Sequence, residues 1–157
     1  MDRLKINADR YQRITAQLEQ ELARSLDPMA RMATAAALLH HKQPHFFWTG
    51  FYRLQPDSSL LVGPYQGTLA CQVLAPGKGV CGAAVREART LVVDDVELFP
   101  DHIACDSRSR SEVVVPYRDS TGEIAGVLDV DSTKPAAFND LDAYWLERIV
   151  ELIFPHG

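Results

Sequence analysis

Glu112-Val113-Val114-Val115-Pro116-Tyr117-Arg118-Asp119-Ser120-Thr121-Gly122-Glu123-Ile124-Ala125-Gly126-Val127-Leu128-Asp129-Val130 reads as two strands folded back on one another. Valine, tyrosine and isoleucine suit a pleated, half-buried backbone. Asp119 to Glu123, with its aspartate, serine and glycine, is a hairpin connection. A hairpin pairs its strands antiparallel. Side chains alternate along a strand, so Asp129 and Asp131 share one face while Val130 points the other way, into a core. Glu112 begins the neighbouring strand, which brings a third carboxylate towards that face.

Outward from the hairpin, the chain supplies more short strands and few helices. Leu91-Val92-Val93 is a strand, Val80 to Ala88 a short helix, Pro76-Gly77-Lys78-Gly79 a loop, and Cys71-Gln72-Val73-Leu74 a short extended piece. Phe46 to Leu54 and Leu60 to Tyr65 read as strands around the turn Gln55-Pro56-Asp57-Ser58-Ser59. Phe99 to Arg110 is a polar loop. Both ends are helical. Tyr11, Ile14, Leu18 and Leu22 recur at helical spacing. Asp27-Pro28 starts a second helix, with Met29, Met32, Ala36 and Leu39 as its apolar stripe. Asn139 caps a last one carrying Leu141, Trp145, Ile149 and Leu152. This is not an alternating βαβ chain. The expected class is α+β, a single domain over residues 1–157 with helices packed on a roughly six-stranded antiparallel sheet.

A chain of 157 residues buries roughly 70 % of its unfolded surface and needs no covalent staple. The net charge of −5 and the lack of a basic face argue against nucleic acid or an anionic membrane as partner. No apolar run reaches the length of a membrane span, and charge from Asp2 onward leaves no signal core. The expected location is the cytoplasm, where thiols are reduced at rest.

Chemistry points to the cysteines. All three, Cys71, Cys81 and Cys105, fall within one third of the chain. Clustered thiols in a reducing compartment are more often redox-active or metal-binding than structural, although small buried hydrophobes remain the bland alternative. No Cys-x-x-Cys pair supports zinc, and no metal site is expected. Cys81 stands at a helix start, whose free N–H groups favour its thiolate. Cys105 lies in a polar segment suited to a pocket rim. Glu112, Asp129 and Asp131 repel one another, which raises at least one pKa and equips that carboxyl as a proton donor. Trp48 and Tyr52, four apart on a strand, share a face and suit an apolar wall. Gly77-Lys78-Gly79 lacks phosphate-loop spacing and reads as a turn before a helix.

Taken together, Trp48-Thr49-Gly50-Phe51-Tyr52, Gly63-Pro64-Tyr65-Gln66-Gly67, Ala70-Cys71, Gly77 to Gly82, His102-Ile103-Ala104-Cys105-Asp106, Ser111-Glu112 and Gly126 to Ser132 resemble the free methionine-(R)-sulfoxide reductases of the GAF domain superfamily. The resemblance implies terminal helices on one sheet face and a ligand pocket on the other. It implies Cys105 as nucleophile, against the local argument for Cys81, and Cys71 as resolving thiol, with Cys81 a relay or substitute. Trp48, Tyr52, Glu112, Asp129 and Asp131 then bind substrate. Thioredoxin is the implied reductant, no metal or organic cofactor is needed, and a homodimer is expected. The rival reading is a non-catalytic GAF module that senses a small ligand or redox state.

Overall fold

The computed structural model describes residues 2–155; Met1, His156 and Gly157, the ends of the expected 1–157 unit, lie outside the described residues. The elements run α1 (Arg3–Leu22), α2 (Pro28–Lys42), β1 (Trp48–Leu54), β2 (Leu60–Gln66), β3 (Val73–Leu74), α3 (Gly79–Glu87), β4 (Leu91–Val93), a 3₁₀ turn Val96–Leu98, β5 (Ser111–Arg118), β6 (Ile124–Ser132) and α4 (Asp140–Ile153). Their ends follow local chemistry. Asp27 accepts from the Ala30 N–H at 3.2 Å with Pro28 in the first turn. Asn139 and Asp142 form a reciprocal capping box at α4.

The sheet has the order β3-β2-β1-β6-β5-β4, and every pairing is antiparallel. The β5–β6 hairpin closes as the sequence predicts, with Asp119 Oδ1 accepting the Thr121 N–H at 2.9 Å. Register places Glu112 opposite Asp131, Val114 opposite Asp129, and Trp48 opposite Asp131 on the other side of β6. One face carries Phe51, Val113, Val115, Tyr117, Leu128 and Val130, and these pack against α1, α2 and α4. The opposite face carries Trp48, Tyr52, Val114 and Val127, which join α3 in a second cluster. The expected α+β architecture therefore holds, with the terminal helices on one face.

Details of the helix stripes differ. Met29 is 47 % exposed, and the buried face of α2 is Arg31, Met32, Ala35, Ala36 and Leu39. Met29, expected in that apolar stripe, sits in the first turn of α2 and outside its buried face. Arg31 is buried because its guanidinium closes helix ends: it donates to the carbonyls of Ser25 at 2.8 Å, Leu152 at 2.6 Å and Ile153 at 2.9 Å. On α4 the buried apolar positions are Leu146, Ile149, Val150 and Ile153, with Trp145 and Leu152 at the margin. The 3₁₀ turn, absent from the sequence reading, buries Val96.

Candidate active site

Alternation along three strands builds the site. β6 turns Asp129 and Asp131 away from the helices, β5 turns Glu112 the same way, and β1 adds Trp48 and Tyr52. α3 crosses above them. Its start is the Gly77–Gly79 turn, as read from sequence, and it lowers Cys81 onto the acidic face. The loop from Phe99 to Arg110 closes one side. A single cavity is lined by Trp48, Tyr52, Cys81, Cys105, Glu112, Asp129 and Asp131, together with Lys78 and His102 among others. Seven of the eight site residues expected from sequence thus line one cavity.

The eighth, Cys71, is reached through a covalent bond. Cys71 and Cys105 form a disulfide with a Cα–Cα separation of 5.4 Å. Cys105 is exposed and faces the cavity, whereas Cys71 is half-buried behind it. The expectation of three free thiols is met by Cys81 alone.

Cys81 corrects a second expectation. Its position in the first turn of α3 argued for a lowered pKa, yet the thiol is pushed well above its usual value. Burial is the main cause, and the charges of Asp129 and Glu112 add to it. The Sγ lies 4.0 Å from Glu112 Oε2. Withdrawal from water outweighs a helix end worth typically below ~1 kcal/mol.

The carboxyls shift in the expected direction, for a different leading reason. Glu112 and Asp129 are only 7 % and 6 % exposed, and Asp131 is half-buried. All three are raised well above ordinary carboxyl values, first by burial and then by one another's charge. Asp129 Oδ1 is buried without a hydrogen-bond partner. Such a group is satisfied by a proton or by a cation from a ligand. The Cys81 sulfur and carboxylate oxygens of Glu112 and Asp129 lie within 4.8 Å of one another, so they could share a metal ion. A substrate ammonium would meet the same need.

Phe47 adds to the aromatic lining of the cavity, and Tyr65, outside that lining, supports Trp48. Trp48 stacks on Tyr52 with centroids 5.8 Å apart and on Tyr65 at 5.3 Å. Tyr65 is quoted above only within a strand and a motif; the signal for its role is Gly50, which pairs with it across β1 and β2. A Cβ at Gly50 would stand 2.7 Å from the Trp48 ring and collide with Tyr65, so glycine is what lets the rings lie flat. The Tyr52 hydroxyl donates to the Cys71 carbonyl at 2.9 Å, and Trp48 Nε1 donates to the Thr68 carbonyl at 3.0 Å. These rings therefore also hold the loop that carries Cys71. His102, quoted only within a motif, lines the cavity with Nδ1 buried and unpartnered, and burial lowers its pKa.

Comparison with known proteins identifies the family. The GAF domain model matches residues 14–153. A GAF domain-containing protein A of Dictyostelium discoideum is 41 % identical over 92 % of this chain and 90 % of its own. A free methionine-R-sulfoxide reductase of Escherichia coli is 42 % identical over 78 % of this chain and 73 % of its own. The X-ray structure of the Neisseria meningitidis free methionine-R-sulfoxide reductase, in complex with its substrate, superposes with a TM-score of 0.89 at 39 % identity, covering 98 % of this chain and 89 % of that one. Among the described residues no helix is long and apolar enough to cross a membrane. On this match of sequence and fold the chain belongs to the GAF domain family and, within it, to the branch of the free methionine-R-sulfoxide reductases.

Proposed function

We propose that this protein is an L-methionine-(R)-S-oxide reductase, reducing free L-methionine-(R)-sulfoxide to L-methionine with electrons from its own cysteines. The observation that carries this reading is the placement of Cys105 on the rim of a cavity whose floor is acidic and whose wall is aromatic, with Cys71 already bonded to it. The methyl group and sulfur of the substrate pack against Trp48 and Tyr52. The ammonium group meets Glu112, Asp129 and Asp131, whose raised pKa values leave a carboxyl proton available for the sulfoxide oxygen. That proton matters because an unprotonated sulfoxide oxygen is a poor leaving group.

The electrons balance over two steps. The Cys105 thiolate attacks the sulfoxide sulfur, oxygen passes to Cys105 as a sulfenic acid, and methionine leaves as the thioether. The Cys71 thiol then displaces water from the sulfenic acid to give the Cys71–Cys105 disulfide. A dithiol of the thioredoxin class restores both thiols by exchange, and the exposure of Cys105 favours its access. Two thiols and an external dithiol suffice, so the cycle calls for no metal or organic cofactor. Cys81, buried and held protonated, serves as a substitute thiol rather than the nucleophile. A cytoplasmic location and a homodimer belong to the same proposal, the latter checked by sedimentation equilibrium.

The test is an assay of both epimers, free and within a peptide, with thioredoxin, its reductase and NADPH. Consumption of the free R epimer alone is expected. Absence of turnover would return the protein to the rival role of a ligand-sensing module, and equal use of a peptide-bound sulfoxide would overturn the enclosed amino-acid site. The Cys71→Ser variant is expected to complete one stoichiometric reduction and then stop; full recycling would move the resolving role to Cys81.

A further inference from the structure

We propose that Thr68 and Asp106 form a strap that holds the Cys71 and Cys105 loops in register once their disulfide has opened, which makes both positioning residues for disulfide closure. The inference rests on the sulfoxide-reductase reading above and deepens it.

Closure forms the bond between the sulfurs of Cys71 and Cys105, breaks the S–O bond of the sulfenic acid, and releases its hydroxyl with the Cys71 proton as water. Its rate depends on the concentration at which one sulfur meets the other. The loops that carry them are 34 residues apart in sequence, so something besides the disulfide must keep them adjacent in the reduced protein. Thr68 stands three residues before Cys71, and Asp106 directly follows Cys105. The Thr68 hydroxyl donates to Asp106 Oδ2 at 2.9 Å, crossing from one loop to the other.

Each end of that bond is anchored independently of the disulfide. On the Cys71 side, Trp48 Nε1 holds the Thr68 carbonyl and the Tyr52 hydroxyl holds the Cys71 carbonyl. Gly67, at φ +115°, turns the chain from β2 into this loop, where a Cβ would press within 2.7 Å of the Phe47 carbonyl. On the Cys105 side, Arg108 fixes Asp106 with Nε at 3.0 Å and Nη2 at 2.8 Å, and its own backbone N–H donates to the same carboxylate at 3.0 Å. The guanidinium lies 5.0 Å from the Phe47 ring centroid. Both loops are thus referred to Phe47, Trp48 and Tyr52, and the Thr68–Asp106 bond joins them. An exposed Arg–Asp pair alone contributes little; here it serves to aim one carboxylate oxygen at one hydroxyl. These hydrogen bonds keep Asp106 ionised, which makes it an acceptor for Thr68 at any physiological pH.

The test is Thr68→Val, which removes the hydroxyl and keeps the shape, beside Thr68→Ser, which restores it. The first readout is the effective concentration of the two thiols, measured by equilibrium with reduced and oxidised glutathione. It is expected to fall about tenfold in Thr68→Val, the scale of a hydrogen bond to a charged acceptor at a half-buried site, and to recover in Thr68→Ser. The second is closure itself: the lifetime of the Cys105 sulfenic acid, followed by dimedone capture after one turnover, is expected to lengthen about tenfold. Asp106→Asn, which weakens the acceptor, is expected to move both in the same direction. Values within twofold of wild type in both Thr68→Val and Asp106→Asn would overturn the strap. The glutathione equilibrium needs no sulfoxide. A protein that fails to reduce methionine sulfoxide therefore sinks the functional reading, whereas an unchanged equilibrium sinks the strap alone.

Discussion

The two faces of β6 carry opposite chemistry on one strand. Leu128 and Val130 enter the helix-covered core and are wholly buried among Ile14, Leu39 and Ile149. Asp129, between them, is nearly as buried but lies among carboxyls and a thiol, with one oxygen unpartnered. The backbone treats the three residues alike; only the side of the sheet differs. The helix side gains free energy from apolar burial. The pocket side loses it by holding acids out of water. One strand thus carries the group that stabilises the fold and the group that needs a stable fold to be held in place.

The largest effect expected from breaking this division falls on the pocket side and touches rate alone. Cys105→Ser is expected to abolish turnover of free methionine-R-sulfoxide, because an alcohol cannot take the oxygen as a sulfenic acid. Its melting temperature, measured on the reduced protein, is expected to stay close to that of reduced wild type, since Cys105 is exposed. Appreciable residual turnover would remove Cys105 as nucleophile.

Next come two adjacent residues with opposite signs. Leu128→Ala is expected to cost about 2–5 kcal/mol, measured by urea unfolding, because the cavity cannot collapse in a core packed on all sides. Asp129→Asn is expected to stabilise by about 1–2 kcal/mol at pH 8 while losing most of kcat/KM. The sign of its pH dependence follows from the raised carboxyl pKa. A group that binds its proton more tightly when folded contributes stability that is full below its unfolded pKa and is lost as pH rises through its folded pKa. Wild type should therefore lose stability between pH 5 and pH 8, and the gain from Asp129→Asn should shrink towards pH 5. A gain that grows towards acid would mean that Asp129 is held ionised and favourably paired.

The division between faces was legible before the fold was known, because alternation is a local rule: Asp129 and Asp131 fall together and Val130 apart whatever lies around them. The helix caps at Asp27 and Asn139 are likewise local. What was not legible depends on partners remote in sequence. Met29 continues the apolar stripe of α2, yet it stays half-exposed, because what is covered depends on how α2 docks. Burial dominates the carboxyl shifts because α3 closes over them, which charge spacing alone does not reveal. The pairing of Cys71 with Cys105 came from resemblance; spacing left three pairings open. Thr68 and Asp106, 38 residues apart, show no pattern at all until the loops meet.

Cys81 is the sharpest case of local chemistry overruled, and it carries the smallest expected effect. A helix start lowers a thiol pKa, and by that rule Cys81 would be the reactive residue of the three. In the fold, Glu112 lies 4.0 Å from its sulfur and the helix end cannot offset the loss of water. The native disulfide form should therefore show almost no reaction with Ellman's reagent at pH 8, and one thiol per chain after denaturation. Cys81→Ala should lower stability by only about 1 kcal/mol, the loss of a small buried group, and leave recycling within about threefold of wild type. Rapid labelling of the native protein would place a thiolate beside three acids, and the contrast between the two faces would then need a counter-charge on the pocket side.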